Sequence, residues 1–61
     1  MQLKQIRESK HLSLRALADK AGVSYTYLCN VENEKANISL ETLRRIAKAL
    51  KVRVADLVAD E

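Results

Sequence analysis

From Ser24 to Val31 the chain carries no charged side chain, yet Tyr25, Thr26, Cys29 and Asn30, with Asn33 just beyond, fall on one side of a helical projection. Leu28 and Val31 fall on the other side and point inward. The outward set is made of hydrogen-bonding types, where a solvated helix commonly shows Glu, Lys and Arg. Such a face can lie against DNA without desolvating charges, and it can meet base edges. Asn pairs bidentately with adenine N6 and N7, while Thr and Tyr offer a hydroxyl or an apolar contact to a thymine methyl. The other reading of the same residues is a polar surface helix with no partner.

Elsewhere the residue types supply little chemistry. The carboxylates Glu8, Asp19, Glu32, Glu34, Glu41, Asp56, Asp60 and Glu61 are dispersed, with no pair at catalytic spacing in an apolar setting. One cysteine and one histidine cannot form a disulfide or supply the ligands of a structural zinc site, and a single glycine excludes a glycine-rich phosphate loop. Cys29 has no neighbouring cation in sequence to activate it as a redox sensor. His11 falls where the first helix should end, a place for a terminal cap rather than a ligand or base. The expectation is a binding protein, not an enzyme, with no metal, no cofactor and no small-molecule substrate.

The polar face needs elements to hold it. Leu17, Ala18 and Ala21 recur at helical spacing, Gly22 is the only glycine, and Leu28 with Val31 resumes the pattern after Ser24. That is the grammar of two short helices joined by a tight turn. Apolar spacing and start signals predict helices over residues 2–11, 14–20, 25–33, 40–50 and 54–59. Ser13, Ser24 and Ser39 are N-caps for the second, third and fourth. Gly22 supplies the left-handed residue after the second helix. Leu12, Val23 and Val52 are expected to be buried at the connections. Leu40, Leu43, Ile46, Ala47 and Leu50 form an apolar stripe, whereas the fifth helix lacks a good N-cap because Arg53 stands there.

Bulk properties agree with a small all-α domain. Sixty-one residues, 48% hydrophobic and 31% charged, make one folded unit, expected to span 1–61 and to bury only about 60% of its unfolded surface. No apolar run reaches membrane-span length, and the start lacks a signal-peptide core, so a cytoplasmic protein without a membrane role is expected. A net charge of +3 favours a polyanionic partner only weakly. The cluster Arg44, Arg45, Lys48 and Lys51 is either the solvated face of the fourth helix or a source of attraction for phosphate.

The run Leu12-Ser13-Leu14-Arg15-Ala16-Leu17-Ala18-Asp19-Lys20-Ala21-Gly22-Val23-Ser24, with Tyr27-Leu28-Cys29-Asn30-Val31-Glu32 and Asn37-Ile38-Ser39-Leu40-Glu41-Thr42-Leu43, resembles the Cro/C1-type helix-turn-helix family. The likeness continues through Ile46-Ala47-Lys48-Ala49-Leu50, Val52 and Asp56-Leu57. It implies a compact, lambda-repressor-like bundle of five short helices, with helices two and three forming the helix-turn-helix. It also implies a transcriptional regulator, more in the manner of a repressor, that binds double-stranded DNA as a homodimer with the third helix in the major groove.

By position, the resemblance makes Tyr25, Thr26 and Asn30 the base readers and Ser24, Tyr27, Asn33, Lys35 and Asn37 the phosphate contacts. It pairs Arg7 with Glu32 in a structural salt bridge. Several positions depart from the family pattern. Leu14 stands where many members have a phosphate-contacting glutamine, and Ile38 stands for the common proline. Glu34 and Lys51 stand for glycines, so the turn at Glu34 should be made differently. Val54, Leu57 and Val58 could form an isologous dimer contact or simply close a monomer core. The same fold also serves protein-interaction modules and antitoxin-like partners, which is the alternative function.

Overall fold

A computed structural model of the chain describes residues 1–59. Five helices follow one another without a strand among these residues: α1 (Leu3–Ser9), α2 (Leu14–Ala21), α3 (Tyr25–Glu32), α4 (Leu40–Leu50) and α5 (Val54–Val58). Asp60 and Glu61, counted above among the carboxylates, lie outside the described residues.

The three serine caps form as the sequence predicts. Ser13, Ser24 and Ser39 adopt extended backbone, and each Oγ accepts from the N–H three residues on, in Ala16, Tyr27 and Thr42. Each capture satisfies one of the donors that a helix start leaves open.

Four helix ends share one solution. His11, Gly22, Glu34 and Lys51 all have φ between 59° and 71°, the left-handed region. After each, the next N–H reaches back five residues: Leu12 to Arg7, Val23 to Ala18, Lys35 to Asn30 and Val52 to Ala47, at 2.7 to 3.2 Å. This is the Schellman arrangement, in which an apolar residue after the left-handed position folds back onto its helix. Leu12, Val23 and Val52 do so and pack against the core. The turn at Glu34 is therefore not made differently, as its missing glycine suggested. It takes the same left-handed backbone and bears the Cβ strain that glycine avoids.

The buried core is Leu3, Leu17, Ala18, Ala21, Leu28, Val31, Leu43, Ile46, Ala47, Leu50 and Leu57. It draws on all five helices, and α3 is anchored chiefly on α2, which in turn packs against α4. One sequence expectation changes here, at Leu40, and one open alternative is decided, at Leu57. Leu40 is 56% exposed. At 3.6 residues per turn it lies roughly 70° from the mean direction of Leu43, Ile46, Ala47 and Leu50, and it begins the helix. Leu57 is wholly buried and Val58 is half exposed, so the fifth helix spends its central leucine on the monomer core and only Val58 and part of Val54 remain outside.

The ends of α1 and α5 also differ from expectation. The first helix is shorter than residues 2–11, because Ser9 Oγ donates to the Ile6 carbonyl at 2.7 Å and the left-handed His11 turns the chain. Its start is tied to the far end of the chain, Gln2 N–H donating to the Leu57 carbonyl at 2.7 Å. At α5, Arg53 is not a poor cap left alone. The Asp56 carboxylate reaches back to accept the Arg53 backbone N–H at 3.1 Å and the guanidinium at 3.3 Å.

Candidate nucleic-acid interface

The helix-turn-helix is built by α2, the turn Gly22-Val23-Ser24 and α3. Leu17, Ala18, Ala21, Leu28 and Val31 are buried between the two helices and the bundle, which sets their angle. The remaining face of α3 is open. Tyr25 and Thr26 are exposed and Cys29 and Asn30 half-buried, with Asn33 exposed at the helix end.

Availability of donors separates the expected contact residues. Among the described residues the side chains of Thr26, Asn30, Asn33, Lys35 and Asn37 form no hydrogen bond and no ion pair within the chain. Their polar groups face water and can be exchanged for another partner. Ser24 Oγ accepts from Tyr27 N–H but keeps its own proton to donate.

Tyr27 is the exception among the expected phosphate contacts. Its backbone N–H goes to Ser24 Oγ at 3.0 Å, and its hydroxyl donates to the Asn37 carbonyl at 3.1 Å. A phenol has one proton, so neither donor is left over for a phosphate. The bond performs a different job: it draws the loop after α3 back against the first turn of α3. The loop carrying Lys35 and Asn37 is thereby tied to the third residue of α3.

The frame behind this face is an ion pair. Arg7 Nε donates to Glu32 Oε2 at 2.7 Å, and its Nη2 donates to Oε1 at 3.1 Å. The third donor, Nη1, goes to the Leu12 carbonyl at 2.7 Å. Both side chains are nearly buried, 10% and 7% exposed, so this is a desolvated bidentate pair in which each carboxylate oxygen accepts one bond. The Glu32 carboxylate is the chief cause that raises the Arg7 pKa above its ordinary value, against the opposing effect of burial.

Two features at the α3 start were not legible as a unit. The Arg15 guanidinium carbon lies 4.6 Å from the centroid of the Tyr25 ring. The Cys29 side chain, one turn on, is the chief cause that raises the Tyr25 pKa, and the Arg15 charge works against it. Arg15 is ten positions from Tyr25 and on a different helix, so only its being an exposed cation was readable. Of the basic cluster on α4, Arg45 pairs with Glu41 at 3.1 Å, while Arg44, Lys48 and Lys51 are exposed. Leu14 packs partly against the core, so it replaces the family's glutamine with an apolar contact and no phosphate donor.

No helix among the described residues is long and apolar enough to cross a membrane. Comparison with known proteins places the architecture. A family model described as Helix-turn-helix matches residues 3–57. The immunity repressor protein of Bacillus phage phi105 is 39% identical over 59 residues, covering 97% of this chain and 41% of that protein. The HTH-type transcriptional regulator SinR of Bacillus subtilis strain 168 is 38% identical over 60 residues, covering 97% of this chain and 54% of SinR. The solved N-terminal DNA-binding domain of SinR superposes with a TM-score of 0.90 at 36% identity, covering 98% of this chain and 88% of that one. The chain thus spans about half or less of the length of these full relatives. Its serine-capped helices, glycine turn and open α3 face, together with these matches, make it a member of the Cro/C1-type helix-turn-helix family of DNA-binding regulators.

Proposed function

We propose that this chain regulates transcription, most simply as a repressor, by reading an operator in the major groove with α3. The observation that carries this reading is the uncharged, donor-rich face of α3, whose Thr26 and Asn30 side chains have no partner among the described residues. Tyr25, Thr26 and Asn30 lie toward base edges. Ser24, Asn33, Lys35 and Asn37 lie toward phosphates, with Tyr27 holding their loop in place. The similarity to a phage immunity repressor supports repression rather than activation. Residues 1–61 act here as one DNA-binding unit, a binder with no catalytic step. A regulator that reads DNA in a bacterial cell works in the cytoplasm, which is where this reading puts the chain.

Two copies on a two-fold-related site are the arrangement that suits a domain of this size. The domain measures 26 × 23 × 19 Å and has one groove-reading helix, whereas successive major-groove faces lie about 34–36 Å apart. One copy cannot occupy both. Val58 and Val54 are the apolar groups left on α5 for a contact between copies, now without Leu57.

The test is selection of bound duplexes from random sequence, followed by Thr26→Ala with Asn30→Ala. Loss of about 1–3 kcal/mol per base contact, with non-specific binding retained, is the expected result. Absence of DNA affinity in the parent at low salt would overturn the reading in favour of a protein-interaction module. A half-site spacing of 10–10.5 base pairs with two copies bound is the outcome expected for the dimer.

A further inference from the structure

Arg15 is the second residue of α2, and its position has no structural benefit of the usual kind. The first turn of α2 holds no acidic residue, so the guanidinium stem starts at the positive end of a helix dipole. Asp19 lies four residues further on, within ion-pair spacing, but the order of cation before acid is the weaker one. Among the described residues Arg15 forms no ion pair and no hydrogen bond. It reaches instead across to the first residue of α3 and stacks on Tyr25, 4.6 Å from the ring centroid.

A guanidinium held over a ring and taken by no hydrogen bond or ion pair keeps N–H donors for another partner. A ring shelf also restricts the orientation of a long, flexible side chain before any partner arrives. A phosphate contact needs only a nearby cation and no such shelf. A rigid fork with free N–H donors, delivered to the groove-entering end of α3, matches the paired acceptors O6 and N7 of guanine.

We propose that Arg15 is an additional base-reading residue, taking one guanine in each half-site through a bidentate contact, with Tyr25 as the positioning residue beneath it. This rests on the DNA-reading function above and deepens it. The base-reading set is then drawn from both helices of the motif. To the Arg15 contact Tyr25 contributes through its ring, not through its hydroxyl.

The test is the same selection of duplex sites, run with the parent, Arg15→Ala, Arg15→Lys, Tyr25→Phe and Tyr25→Leu, each checked for helical content and melting. The parent should select a guanine at one position per half-site. Arg15→Ala should lose that preference by roughly 5- to 150-fold while preferences at other positions remain. Arg15→Lys should keep the salt dependence of binding without restoring the guanine. Tyr25→Leu should weaken the guanine preference, and Tyr25→Phe should keep it. If Arg15→Ala instead weakens all sequences equally, with the log-log salt slope falling by about 0.9, Arg15 is a phosphate contact and the proposal is overturned. Equal loss in Tyr25→Phe and Tyr25→Leu overturns the shelf. A selected operator without the guanine sinks the Arg15 assignment alone; a parent that selects no sequence sinks the DNA-reading function with it.

Discussion

Arg7 near the end of α1 and Glu32 at the last residue of α3 are joined by two parallel hydrogen bonds, 2.7 and 3.1 Å, across 25 positions of sequence. The pair fastens the reading helix at the end away from its groove-entering residues. It also brings Arg7 within 2.7 Å of the Leu12 carbonyl, so the first connection is fastened by the same side chain.

Breaking that pair should be costly, and replacing it should not. Glu32→Ala leaves a nearly buried guanidinium without its carboxylate, a loss of about 3–5 kcal/mol. For a 61-residue domain that approaches the whole stability. Arg7→Met with Glu32→Leu should recover most of it, short of about 1 kcal/mol for the Leu12 carbonyl left without its donor. Urea unfolding of the parent, the single and the double variant measures this. A double variant no more stable than the single one would count against the desolvation argument.

The left-handed residues His11, Glu34 and Lys51 should each gain from glycine. Each carries a Cβ at φ 59°, a strain of about 1–2 kcal/mol, against which glycine costs about 0.5–1 kcal/mol of added chain entropy. The expected net gain is about 0.5–1 kcal/mol per site, or roughly 2–8 °C in Tm. Gly22→Ala should lose about 0.5–1 kcal/mol for the mirror reason. Its new methyl would meet only the Arg45 guanidinium at 3.9 Å, an ordinary contact, so backbone strain alone is being read. Thermal melts of the four variants check both signs.

Acidification should loosen α5 through Asp56. Its pKa lies below the ordinary carboxylate value, first because the Arg53 backbone N–H bonds to it and then because of the Arg53 side chain. A carboxyl depressed in the folded state adds stability that is complete above its unfolded value and is lost as pH falls through the folded one. The parent should therefore lose its advantage over Asp56→Asn as pH drops from the ordinary carboxylate range downward. Tm measured against pH for both proteins should show two curves converging at low pH. A constant gap would mean that the cap does not titrate.

Tyr27→Phe should separate loop positioning from phosphate binding. Losing the hydroxyl bond to the Asn37 carbonyl should cost about 0.5–1.5 kcal/mol of stability. DNA affinity should fall modestly because Asn33, Lys35 and Asn37 are less well held, but the salt slope should not change by the step expected for a lost phosphate contact. Salt titrations of DNA binding by parent and variant provide the measurement.

What the sequence by itself determined is local. Ser13, Ser24 and Ser39 cap helices within three residues of themselves, the apolar spacing around Leu17 and Leu28 aims two helices at one core, and Gly22 permits the turn between them. Those interactions span four residues or fewer, so the helix-turn-helix and its outward residues could be read from order alone. Tertiary structure decided the rest. His11, Glu34 and Lys51 take a backbone that their side chains disfavour; at His11 and Lys51 the burial of Leu12 and Val52 accompanies that turn. The bundle closes over Leu57, which decides between a core role and a contact between copies. Tyr27 gives its proton to Asn37, and Arg15 comes to rest on Tyr25, each across ten positions of sequence. Contacts of that range exist only after the bundle has closed, and they determine which groups on the reading face are spent and which remain free.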